Sequence, residues 1–180
     1  MTEDKNGNFW VFGYGSLMWR PGFPFLESRL AKVAGLHRAL CVFSWVHRGT
    51  REKPGLVLGL DQGGACLGLA FRICNSERER VIDYLREREQ VTNVYQEKWR
   101  SIRFGDGDKA TALTYVVDRD HAQYAGKLDL DTQIAMIEGA IGRSGANPDY
   151  VTSTAQRLNE LGIRDNGLFH VSEQLLAGRR

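Results

Sequence analysis

Two stretches of this chain carry groups able to do chemistry: the turn Phe12-Gly13-Tyr14-Gly15-Ser16-Leu17 near the start, and Glu89 at the end of a glutamate-rich segment. The turn follows Phe9-Trp10-Val11-Phe12, whose aromatic and β-branched content is that of a buried strand. Two glycines directly after it remove side chains where the chain must bend, baring N–H groups that can hold an anionic or carbonyl oxygen. Nucleotide readings of the same glycines fail. Met18 stands where a dinucleotide fingerprint needs its third glycine, and no Gly-Lys-Ser/Thr sequence completes a P-loop. Ser16 follows Gly15 directly and lacks the closing glycine of a nucleophile elbow. A serine-type hydrolase built on Ser16 would need His37, His47, His121 or His170 as its base.

Glu89 is singled out by helical spacing. Ser76 followed by Glu79 has the form of a capping box and predicts a helix over 77–89. Ile82, Leu85 and Glu89 fall at i, i+3 and i+7, so Glu89 projects from the apolar stripe while Glu79 and Glu87 lie off it. An acid in partly apolar surroundings at a helix C-terminus has its pKa raised, because both burial and the macrodipole disfavour its charge. The competing reading is an ion pair of Glu89 with Arg86 or Arg88 at a fraying helix end.

The elements that must position these groups are short. Six segments read as strands, over about 9–14, 36–45, 55–60, 65–73, 94–104 and 110–118, with hairpins expected at Gly59–Ala65 and after Phe104. Helices are expected over about 77–89, 130–141 and 149–161, the last closing at Gly162, with an aperiodic loop over 142–148. At 180 residues the chain fits one α+β domain, 9–176, with flexible ends at 1–8 and 177–180. A net charge of +2 with dispersed Lys and Arg gives nucleic-acid binding no support, and no apolar run is long enough to cross a bilayer. The polar start Met-Thr-Glu-Asp-Lys is not a signal peptide, so a cytoplasmic protein is expected. Cys41, Cys66 and Cys74 match neither a zinc spacing nor a disulfide framework and are expected to be free thiols.

With these features the chain resembles the ChaC family of γ-glutamylcyclotransferases. The matching residues include Phe12–Leu17 with Trp19 and Pro21-Gly22-Phe23, His47-Arg48-Gly49-Thr50, and Pro54–Leu60. They continue through Arg88-Glu89, Val94-Tyr95, Val117–His121, Tyr124-Ala125-Gly126 and Gly142–Gly145, in the family's order. Gln90 and Lys53 depart mildly from the family pattern.

The resemblance implies a small mixed β-barrel flanked by helices and cleavage of glutathione into 5-oxoproline and cysteinylglycine. It implies that Tyr14, Gly15, Ser16 and Leu17 hold the glutamyl group and that Glu89 is the catalytic glutamate, expected to act as acid and base; Tyr124 is a candidate hydroxyl donor to the same pocket, with a packed loop tyrosine as the competing reading. The substrate's own amine attacks in such a reaction, so neither metal nor organic cofactor is needed. An ordinary glutamate near ~4.3 facing an α-ammonium near ~8 is mismatched by about 5 kcal/mol, and a raised glutamate pKa narrows that gap. A non-catalytic γ-glutamyl-binding module on the same fold is the alternative of a different class. Arg48, Arg72 and Arg119 are candidates by charge alone for the glycine carboxylate.

Overall fold

The structure is a computed structural model that describes residues 7–178. Its contacts divide the chain into two compact units. One comprises the described residues up to Arg38 with Leu60–Asp118; the other comprises Ala39–Gly59 with the described residues from Arg119 onward.

Five strands close into a barrel: β1 (Phe9–Gly13), β2 (Glu27–Ser44), β3 (Gly55–Ile73), β4 (Tyr95–Phe104) and β5 (Lys109–Val117), in the order β1-β3-β2-β4-β5. Together with four α-helices this is the mixed α+β barrel that the resemblance implies. β1 is buried throughout. It pairs antiparallel with β3, placing Phe9 opposite Ile73 and Gly13 opposite Leu69, and parallel with β5, placing Trp10 opposite Ala112. An aromatic strand walled on both sides in this way anchors the turn that follows it. The β4–β5 hairpin forms as expected, from Tyr95 opposite Val117 to Arg103 opposite Lys109.

The hairpin expected at Gly59–Ala65 does not exist: residues 55–73 are one strand. Gly63 and Gly64 adopt φ of +99° and +67°, which bends the strand without reversing it. The Gly63 carbonyl lies 3.1 Å from His37 Nδ1 on β2. β2 likewise starts at Glu27, earlier than position 36, with Ala31 and Val33 buried opposite Phe104 and Ile102.

In the first unit, α1 (Arg78–Glu89) follows a 3-10 turn over Asn75–Glu77. That turn displaces the expected capping box: Glu77 is the N-cap, no side chain caps the helix, and Ser76 Oγ faces Cys74 Sγ instead. In the second unit, α2 (Leu130–Ile137) is capped by Asp129, which accepts from the Thr132 amide at 2.8 Å. It stops short of 141 because Glu138 is extended and Gly139 takes a φ of +69°.

The loop expected over 142–148 contains a small hairpin, β6 (Ile141–Gly142) with β7 (Gly145–Ala146), and then the start of α3 (Asn147–Glu160), with Pro148 in its first turn. Gly162 closes α3 as expected. Its amide reaches Asn159 O and that of Ile163 reaches Leu158 O, a Schellman arrangement. A fourth helix, α4 (Asn166–Ala177), was not expected. Asp165 caps it, and Leu168, Val171 and Leu175 are its buried face.

One polar side chain organises the second unit. Asn147, fully buried, accepts from the Leu56 amide at 2.6 Å and donates to the Leu56 carbonyl at 2.9 Å, standing in for a strand partner. Gly142 lies so close to the backbone of His47–Gly49 that a Cβ there would be 2.5–2.6 Å from it. The three cysteines are free thiols. Among the described residues no helix is long and apolar enough to cross a membrane. Of the ends expected to be flexible, residues 1–6 and 179–180 lie outside the described residues.

Candidate active site

The chemistry-bearing turn leaves β1 as a 3-10 turn over Ser16–Met18, closed by the Met18 amide donating to Gly15 O at 3.0 Å. The leading amides of such a turn have no acceptor within it. Those of Gly15, Ser16 and Leu17 find no other acceptor among the described residues. The turn is held from beneath: a Cβ on Gly13 would stand 2.9 Å from Leu17 Cβ, so only glycine lets Leu17 fold back over the strand end. Tyr14 is buried with its hydroxyl committed to the Tyr115 carbonyl at 2.9 Å. Arg38 Nε donates to the Tyr14 carbonyl at 2.5 Å. Tyr14 therefore anchors the turn, and the three amides after it are what the turn offers to a ligand.

Helix α1 supplies the carboxylate. Val81 and Leu85 are its buried residues and Glu89 follows at the next i+4 step, so the inward stripe runs 81, 85, 89. Ile82, expected on that stripe, is only half-buried. Burying Leu85 contributes about 1.5–3 kcal/mol toward seating the helix. The Glu89 side chain retains 18% exposure, and Arg88 Nε lies 3.3 Å from its Oε1. Both readings made from the sequence are therefore present at once, an inward carboxylate and an ion pair. Burial pushes the Glu89 carboxyl up, and the Arg88 charge opposes this more weakly.

The wall beside α1 comes from β4 and β5. Arg86 grips Glu97 through two hydrogen bonds of 2.9 and 3.1 Å, and the Tyr115 hydroxyl donates to Glu97 at 3.4 Å. Burial and then the negative charges of Glu97 and Glu89 hold the Tyr115 phenol well above its ordinary range. It stays protonated as a donor at any physiological pH.

Arg88, named from the sequence only as an ion-pair partner and as one of the family-matching residues, makes a wider set of contacts. Its Nη2 donates to Ser16 Oγ at 2.8 Å, and its Nη1 is shared among Arg20 O at 2.7 Å, Pro21 O at 3.1 Å and the Tyr84 hydroxyl at 3.0 Å. Tyr84 and Arg88 are four apart on one helix face, the one spacing signal that could have drawn attention to it. The bond to Ser16 also bears on the hydrolase alternative, because a guanidinium cannot take a proton from a nucleophilic hydroxyl.

Tyr14, Gly15, Ser16, Leu17 and Glu89 thus all belong to the first unit. Tyr124 belongs to the second, where it is half-buried, forms an isolated bridge with Val42 and carries the Arg119 guanidinium 5.8 Å from its ring. The arginines picked by charge have structural partners: Arg72 pairs with Glu27 at 3.0 Å, and Arg48 donates to Ala146 O at 3.2 Å beside the Tyr150 ring. A hollow of about 260 Å³ in the second unit is lined by Trp45, Ile141 and the family-matching residues Gly49, Thr50, Gly142 and Arg143, but by none of the residues expected to hold the glutamyl group or to act as acid and base.

A family profile described as "ChaC-like protein" matches residues 9–177, which spans the turn, Glu89 and the helices of both units. The chain belongs to the ChaC-like family. Among curated relatives, the glutathione-specific γ-glutamylcyclotransferase of Escherichia coli is 36% identical over 162 residues, covering 90% of this ChaC-like chain and 70% of the relative. Glutathione-specific γ-glutamylcyclotransferase 1 of Danio rerio is 31% identical, with coverage of 94% and 90%. Among solved structures, a yeast γ-glutamyl cyclotransferase specific to glutathione superposes with a TM-score of 0.87 at 21% identity, covering 94% of this chain and 96% of that one. This shows that the two share a fold.

Proposed function

We propose that this ChaC-like chain is a γ-glutamylcyclotransferase that cleaves glutathione to 5-oxoproline and cysteinylglycine. The observation that carries the reading is the pairing of a half-buried carboxylate whose proton affinity burial raises, Glu89, with a turn of unengaged amides at Gly15–Leu17, linked through Arg88. Relatives with glutathione-specific names at 31–36% identity over most of the chain support the substrate.

The substrate's α-amine nitrogen attacks its own γ-carbonyl carbon, forming the lactam C–N bond as the C–N bond to the cysteinyl nitrogen breaks. Glu89 takes one proton from the α-ammonium before attack and a second as the lactam nitrogen forms, passing each in turn to the departing nitrogen, which leaves as the ammonium of cysteinylglycine; such general acid–base help typically contributes ~10²–10⁴-fold. The raised carboxyl brings its proton affinity nearer that of the amine. Amides at Gly15, Ser16 and Leu17 hold the folded glutamyl group, so ring closure is an oriented intramolecular step.

Product analysis with glutathione and γ-glutamyl amino acids at matched concentrations tests the proposal. It expects 5-oxoproline and cysteinylglycine from glutathione and much slower release from the other compounds. Equal release from all would remove the specificity for glutathione, and calorimetric binding of glutathione without any product would leave a binding module.

A further inference from the structure

We infer that Arg88 is a positioning residue that ties the glutamyl-holding turn to the catalytic carboxylate, fixing the turn's place and the charge beside Glu89 with one guanidinium. The inference rests on the reading of Glu89 as the base. No other described residue makes this set of contacts: Arg88 reaches Ser16 in the turn, the Arg20 and Pro21 carbonyls after it, Tyr84 on its own helix and the Glu89 carboxylate. A planar fork of five N–H groups can hold such divergent acceptors together, whereas an ammonium on a flexible stem cannot. With only 19% of its side chain exposed, Arg88 is weakly screened, so its charge acts on Glu89 at close range.

The groups facing Glu89 are few. Arg88 is on α1, and across from it the Tyr115 phenol on β5 feels the Glu89 charge; Glu97 on β4 and Arg86 on α1 are bound up with each other and with that phenol. Among the described residues Arg88 is the one cation whose charge lowers the Glu89 carboxyl. Its removal leaves burial unopposed, so the Glu89 titration moves upward and the acidic limb of kcat/KM moves with it.

The test uses the full chain with Arg88→Lys and Arg88→Met. Glutathione turnover gives kcat and KM, and carboxyl ¹³C NMR follows the Glu89 titration independently of activity. Arg88→Met should raise both the Glu89 midpoint and KM. Arg88→Lys should keep the midpoint near wild type while raising KM about tenfold or more, the usual scale for charge-assisted hydrogen bonds lost. A wild-type midpoint in Arg88→Met, or a wild-type KM in Arg88→Lys, overturns the inference. Should Arg88→Met not fold, KM in Arg88→Lys still decides it. If the wild-type chain releases no 5-oxoproline, the reading of Glu89 as base falls, and the NMR midpoints alone decide whether Arg88 governs this carboxyl.

Discussion

Gly13→Ala perturbs the turn from beneath, through the Leu17 side chain rather than through the amides or the carboxylate assigned to the chemistry. The added Cβ would stand 2.9 Å from Leu17 Cβ and 3.4 Å from Phe71 Cε2. Carbon atoms in contact sit about 3.5–4.0 Å apart, so Leu17 must retreat by about 0.6–1.1 Å. Strand β1 cannot absorb the move, since it is bonded on both sides by β3 and β5 and is buried along its length. The displacement therefore falls on Leu17 and its neighbour Ser16. Overpacking of this kind costs about 1–3 kcal/mol of stability. A misplacement near 1 Å costs on the order of 10²-fold in rate where orientation carries the catalysis.

The assay is release of 5-oxoproline from glutathione, with urea denaturation of the same samples. Gly13→Ala should lose about ten- to a hundredfold in kcat/KM while remaining folded. Leu17→Gly removes the colliding atom, so the double variant should be more stable than the sum of the single effects predicts. Additive stabilities, or a Gly13→Ala enzyme within twofold of wild type, would refute the argument that Gly13 sets the height of the turn.

Glu89→Gln should raise stability near neutral pH, because burial holds the folded-state carboxyl above its unfolded value. An acid raised in this way contributes stability that is fully present below the unfolded value, near 4.5, and lost as pH rises through the folded one. The Tm advantage of Glu89→Gln should therefore be present at pH 8 and vanish toward pH 4; a gap independent of pH would contradict it. Arg88 keeps four other acceptors in that variant, which limits the cost of losing its ion pair. Asn147→Ala strands the buried amide and carbonyl of Leu56 and should cost about 2–5 kcal/mol in urea unfolding. Asn147→Asp, which sets a carboxylate against the Leu56 carbonyl in a fully buried site, should cost at least as much near neutral pH.

Much of the site is legible in the sequence, because the turn and Glu89 depend on local rules. Glycine at 13 and 15 signals a bend with bare amides, and the 3.6-residue period points Glu89 inward even though the stripe passes through Val81 where Ile82 was expected. The misreadings lie where tertiary contacts decide. Asp61-Gln62-Gly63-Gly64 has turn composition, yet left-handed glycines can equally bend a strand that stays paired, and here they do. Residues 27–35 alternate, but with Ala31 and Val33 as their inward side chains the signal is weak beside the aromatic strands. Gly167 in the first turn of α4 lowers helix propensity and obscures a sound Leu168-Val171-Leu175 face. Arg88 was invisible for a different reason: spacing can show that an arginine adjoins a carboxylate, but not that it reaches a hydroxyl 72 residues earlier in the chain.

The measurement that tests the central claim most directly is 5-oxoproline release from glutathione by Glu89→Gln, alongside wild type, with matching circular dichroism to show both are folded. Gln preserves the shape of the side chain and cannot take a proton. The account predicts a loss of at least ~10²-fold in kcat, the lower range for a general acid–base. Turnover near the wild-type rate by a folded Glu89→Gln protein would contradict it.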